Sequence, residues 1–75
     1  MIDYFRTTYL LDFYGALLTA RQRTATQMYF EENLTLSEIA EELSISRQAI
    51  HDTLRRANEA LENYESKLGL VSRFE

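Results

Sequence analysis

The sequence predicts an all-α domain of four helices, and three observations carry that prediction. Of 75 residues none is proline and only Gly15 and Gly69 are glycine, so the punctuation of a turn-rich β fold is missing. Apolar residues recur at spacings of three and four, the period of a helix with one covered face. Asp3, Thr19, Thr35 and Ser46 each stand just ahead of such a run, where side-chain oxygens cap the free N–H groups of a first turn.

The first helix is expected from about Asp3 to Leu18. It holds five of the nine aromatic residues, Tyr4, Phe5, Tyr9, Phe13 and Tyr14, and its wide apolar arc calls for cover on more than one side. The second, about 20–32, starts at Thr19 with Gln22 completing a capping box. Asn33, which tolerates a left-handed conformation, ends it. The third, 36–43, starts at Thr35 with Glu38 in the same relation, and Leu34 and Ile39 are placed for a hydrophobic staple. The fourth, 47–68, starts at Ser46 with Ile45 and Ile50 as its staple, and Gly69 is suited to end it. Residues 1–75 are read as one domain, near the lower limit for a self-sufficient core, since a chain this short buries only roughly 60% of its unfolded surface.

Ile50, Leu54, Ala57, Leu61, Tyr64, Leu68 and Val71 alternate spacings of four and three, a heptad seam of about three repeats. It can pack on the aromatic first helix of the same chain, or its outer half can pair with a second subunit. On the second reading the protein is a homodimer, and polar residues at Leu61 and Tyr64 would separate it. After Gly69 the chain stops mid-pattern, which reads as a truncated C-terminus.

Between Leu36 and Arg55 lies short helix, tight turn, longer helix. Leu36, Ile39, Ala40 and Leu43 form the inner face of the first, and small Ala40 lets the next helix cross close by. Ile45 plugs the corner, with Ser44 where glycine is usual, a replacement costing about 1 kcal/mol. That is the pattern of a helix-turn-helix, whose second helix is offered to a major groove.

The outward residues of that second helix suit base edges and phosphates. Arg47, Gln48 and Asp52 are candidates for guanine, adenine and the cytosine amino group, His51 and Arg55 for mixed contacts, Arg56 for a phosphate. Arg21 and Arg23 are candidate backbone clamps. The formal charge of −4 argues against nucleic acid until it is divided. Residues 46–56 sum to +2, and 1–34, 35–45 and 57–75 to −1, −3 and −2. A positive reader on a negative carrier is a poor non-specific binder that depends on groove contacts or dimerisation.

Leu18-Thr19-Ala20-Arg21-Gln22-Arg23, Leu36-Ser37-Glu38-Ile39-Ala40-Glu41-Glu42-Leu43, Ile45-Ser46-Arg47-Gln48-Ala49-Ile50 and Leu54-Arg55-Arg56-Ala57 together resemble the promoter-reading C-terminal domain of bacterial sigma factors. Asp12-Phe13-Tyr14-Gly15-Ala16-Leu17-Leu18-Thr19 and Ser46-Arg47-Gln48-Ala49-Ile50-His51-Asp52 narrow the likeness. Essentially the whole chain is similar to the YlxM-like family of small bacterial helix-turn-helix proteins. The resemblance implies a DNA-binding regulator of the signal recognition particle operon, beside whose genes such proteins are encoded. It also implies the alternative, a protein-interaction module in that pathway with no DNA role, and a chain that continues beyond this one.

Other chemistry finds little support. His51 is the only histidine, and neighbouring helical residues point about 100° apart, so Ser46, His51 and Asp52 cannot align as a triad. Glu38 has a capping role, and Glu41 and Glu42 read as a solvated face. No glycine-rich phosphate loop is present. An enzyme is therefore not expected, nor any cofactor or metal. With no cysteine, no basic leader and no long apolar run, the sequence predicts a cytoplasmic protein without a membrane span.

Overall fold

The computed structural model describes residues 3–74. All regular structure among them is helical: α1 (Tyr4–Tyr14), α2 (Ala20–Thr26), α3 (Leu36–Leu43), α4 (Arg47–Leu68) and α5 (Leu70–Phe74). The four expected helices are present, and α5 is a fifth that the sequence did not announce. The long α4 is the spine against which the other four pack.

The caps form as the residue types dictate. Asp3 accepts from the Arg6 N–H, and Ser46 from the Ala49 N–H. Thr19 with Gln22, and Thr35 with Glu38, close complete capping boxes, the Glu38 carboxylate accepting the Thr35 N–H at 2.9 Å. Asn33, Ser44 and Gly69 are the three left-handed residues, with φ near 60°. Each ends a helical segment.

Two boundaries differ from expectation. The first helix stops at Tyr14 and passes through a 3₁₀ turn, Gly15–Leu17, before Leu18 extends. Thr19 can cap α2 only from an extended backbone, so the chain must leave the helix before it. The second helix widens into a π-helical turn over Gln27–Glu31. Thr26 precedes it, its hydroxyl donating back to the carbonyls of Gln22 and Arg23, a side-chain bond that competes with regular backbone pairing.

The interior is two apolar clusters strung along α4. One gathers Ala25, Phe30, Ile39, Ala40, Ile50 and Leu54, the other Leu10, Tyr14, Leu18, Ala57, Leu61 and Val71. Leu11 of α1 packs against both and joins them. Polar ties fix α1 along α4 and to the π-helical turn. Arg6 grips Glu62 through two bonds of 2.7 and 2.9 Å, Thr7 donates to Asn58, and Tyr4 donates to the Phe30 carbonyl at 2.7 Å.

The heptad seam is resolved in favour of intrachain packing. Ile50, Leu54, Ala57 and Leu61 are buried against the chain's own helices. The seam then ends, because Leu68 is half exposed and Val71 lies on α5, beyond the Gly69 reversal. A polar residue at Leu61 would unfold the chain rather than separate subunits.

The reversal is held by a buried polar node. Tyr14 donates to Glu65 Oε1 at 2.6 Å and accepts the Leu70 N–H, and the Glu65 carboxylate accepts the N–H groups of Val71 and Ser72 at 3.0 and 2.9 Å. Three donors converge on one carboxylate, so the Tyr14 hydrogen bond first, then those of Ser72 and Val71, hold its pKa below the ordinary value against the opposing effect of burial. Burial, then the hydrogen bond to Glu65, raises that of Tyr14.

Candidate nucleic-acid interface

Ser44 makes the corner between α3 and α4. Its φ is 56°, and the N–H groups of Ser44 and Ile45 return to the carbonyls of Glu41 and Ala40 at 3.3 and 3.1 Å. This doubly bonded ending usually carries glycine at the left-handed position. Ser46 then restarts the chain as a cap, so only three residues separate the helices. Ile45 packs into the cluster that holds Ile39, Ala40 and Ile50, and this locks the angle between the two helices.

Helical geometry sorts the side chains of α4. Ile50, Leu54, Ala57 and Leu61 define its buried line. At about 100° per residue, Gln48, Asp52, Arg55 and Glu59 fall on the opposite face. Arg47 and His51 lie on one flank and Arg56 on the other. Arg47, Gln48, His51, Arg55 and Arg56 are exposed, and Asp52 is half-buried. Arg47, Gln48 and His51 border a shallow depression beside Leu36. His51 and Arg55 also line a larger groove, about 560 Å³, with Tyr4, Tyr29, Phe30 and Leu54.

Ion pairing divides these residues further. Asp52 and Arg55 are brought together at 3.3 Å, and Arg55 reaches Glu59 at 2.6 Å. The hydrogen bond to Asp52 and the charge of Glu59 raise the guanidinium pKa further. Arg55 is thus held along its own helix. Glu59 was not among the candidates, although its position four residues after Arg55 is the spacing of a helical ion pair. Among the described residues Arg47 and Arg56 make no ion pair, and neither do Arg21 and Arg23 on the exposed face of α2. Nor does any group of three or more His, Cys, Asp or Glu there form a metal cluster. No helix there is long and apolar enough to cross a membrane.

A short helix, a left-handed corner and a longer helix with a polar outer face define a helix-turn-helix protein. The pattern of the family described as "Putative helix-turn-helix protein, YlxM / p13 like", UPF0122, matches residues 2–75, and the chain belongs to that family. It is 51% identical over 74 residues to a UPF0122 protein of Desulforamulus reducens, covering 99% of this chain and 63% of that one. A UPF0122 protein of Thermoanaerobacter sp. is 54% identical over 71 residues, 95% of this chain and 61% of its own. One of Staphylococcus carnosus is 44% identical over 75 residues, 100% of this chain and 68% of its own. The chain therefore spans about two thirds of the length of these relatives.

Proposed function

We propose that this chain binds double-stranded DNA through the first half of α4 and acts, in the cytoplasm, as a regulator of transcription. One observation carries the reading: a segment of net charge +2, residues 46–56, coincides with the helix presented by the turn. Arg47 and Arg56 sit on its opposite flanks, nine residues and so about 13.5 Å apart along the axis. A major groove is wide enough to admit a helix. Seated there, the helix would place each arginine at one wall of phosphates, with Gln48 directed at base edges between them.

The ion pairs refine the roles. Asp52 and Arg55 act together: Arg55 engages DNA by leaving Glu59, and Asp52 then accepts from a cytosine amino group or keeps Arg55 aligned. His51, over the groove beside Leu36, contacts base or backbone on the Arg47 side. Arg21 and Arg23 would clamp the flanking backbone. Few phosphate contacts per copy mean weak, salt-sensitive binding, which a two-fold pair on two half-sites would strengthen.

The finer proposal, that the regulated genes are those of the signal recognition particle, rests on the family resemblance. The second reading, a module binding a protein of that pathway, is favoured by the exposed aromatic residues of α1. Selection of duplexes from a random pool by the wild-type chain and by Gln48→Ala tests the leading reading. It expects a base preference that the variant loses at one or two positions; no preference in the wild type overturns it.

A further inference from the structure

The outer side of α1 carries a stripe that the fold leaves uncovered. Phe5, Tyr9 and Phe13 follow one another at four-residue spacing and are 78%, 57% and 40% exposed. Tyr9 lies about 150° around the helix from the buried Thr7 and Tyr14. Leu17, 54% exposed, continues the stripe past the end of the helix. The α5 turn extends it sideways. Phe74, 72% exposed, stacks on Phe13 with ring centres 5.9 Å apart and planes 17° from parallel. At roughly 200 Å² for a large aromatic, these five side chains present on the order of 600 Å².

That area, taken with the layout of the stripe, bears on the occupant. The described surface totals 5117 Å², so the stripe is roughly a tenth of it. A stable two-protein interface takes about 800 Å² per partner, about a tenth of a small protein's surface. The largest apolar patch on an ordinary monomer reaches 300–600 Å², and a stripe at that upper end, with the polar residues around it, supplies what a dimer face needs. Its layout is also self-complementary. A two-fold axis through Tyr9 runs the two α1 helices antiparallel and sets Tyr9 against Tyr9. The same operation sets Phe5 of each copy against the partner's Phe13. Phe5, the most exposed aromatic, then meets the stacked Phe13–Phe74 pair, so each copy supplies both knob and seat.

We propose that this face joins two copies of the chain in an isologous dimer centred on Tyr9. It replaces the heptad seam as the subunit contact, because the seam is spent inside the chain. The surface is built from α1, the turn after it and α5, and the proposed DNA contacts lie on α4 and α2, so the dimer can be tested without DNA.

Sedimentation equilibrium of wild type and Tyr9→Glu tests it, with melting followed by circular dichroism. The wild type is expected to be a dimer at tens of micromolar. Tyr9→Glu sets two carboxylates against each other at the axis and should weaken the dimer by at least a hundredfold; at concentrations low enough for both chains to be monomeric the two should melt alike, since Tyr9 is more than half exposed. Tyr9→Cys, in a chain with no other cysteine, should form a disulfide-linked dimer on mild oxidation. A wild type that stays monomeric at hundreds of micromolar overturns the proposal. So does a dimer that Tyr9→Glu leaves intact, which would put the contact on another face.

Discussion

Replacing Glu59 by glutamine should strengthen DNA binding, although Glu59 is not among the residues assigned a DNA contact. Its carboxylate holds the Arg55 guanidinium at 2.6 Å, while Asp52 holds it more loosely at 3.3 Å. Glu59→Gln removes the tighter restraint and one negative charge from the face turned to DNA. Two unit charges about 7 Å apart in water interact by about RT, so losing the repulsion favours binding by close to threefold. A released Arg55 that neutralises one more phosphate steepens the salt dependence by about 0.9 in log–log slope. The combined gain is on the order of tenfold at low salt, shrinking by about threefold between 50 and 200 mM. Fluorescence anisotropy with a labelled duplex at several salt concentrations measures both quantities. Arg47→Ala and Arg56→Ala should move both in the opposite direction. The pair is more than half exposed, so stability should barely change. Unchanged or weaker binding by Glu59→Gln would refute the reasoning, since it would mean that this face of α4 does not approach DNA.

Two further predictions concern the elements that hold α4 in place. Ser44→Gly removes the side chain from a left-handed position and should stabilise the chain by about 1 kcal/mol, a rise of roughly 4–8 °C in Tm for a domain this small. Glu65→Gln replaces a carboxylate that accepts three hydrogen bonds, and should lower Tm at neutral pH by several degrees. Because folding depresses the Glu65 pKa, its contribution is full above the ordinary value of 4.5 and is lost as pH falls through the depressed one. The gap between wild type and variant in melting temperature should therefore narrow from pH 5 towards pH 3; a constant gap would contradict the role given to its charge.

The helix starts were legible because capping is local chemistry: a threonine and a glutamine or glutamate three residues on decide where Thr19 and Thr35 sit. The left-handed ends at Asn33, Ser44 and Gly69 were legible for the same reason. The seam misled because a four–three spacing continues smoothly through Gly69, while a left-handed glycine turns the chain. Val71 thus reached the core from a new direction and Leu68 was left outside. What redirects it, Glu65 joined to Tyr14, depends on residues 51 positions apart, a pairing that no local pattern displays. Around the candidate interface the residues were legible and their partners less so. Arg55 looked available until its i+4 neighbour Glu59 was taken into account. The exposed stripe was hidden for a related reason: periodicity marks Phe5, Tyr9 and Phe13 as helical and apolar, but only the packing of α1 on α4 shows which of its apolar sides is covered.

Everything proposed for α4 rests on its outer face reading a groove, and duplex selection tests that most directly. Wild type and Gln48→Ala are each taken through selection from a random pool at 50 mM salt, and the enriched sequences compared. The account predicts a wild-type preference that Gln48→Ala relaxes at one or two adjacent positions, with a cost of about 1–3 kcal/mol on the preferred site. Enrichment of nothing by the wild type, or of identical sequences by both chains, would contradict it.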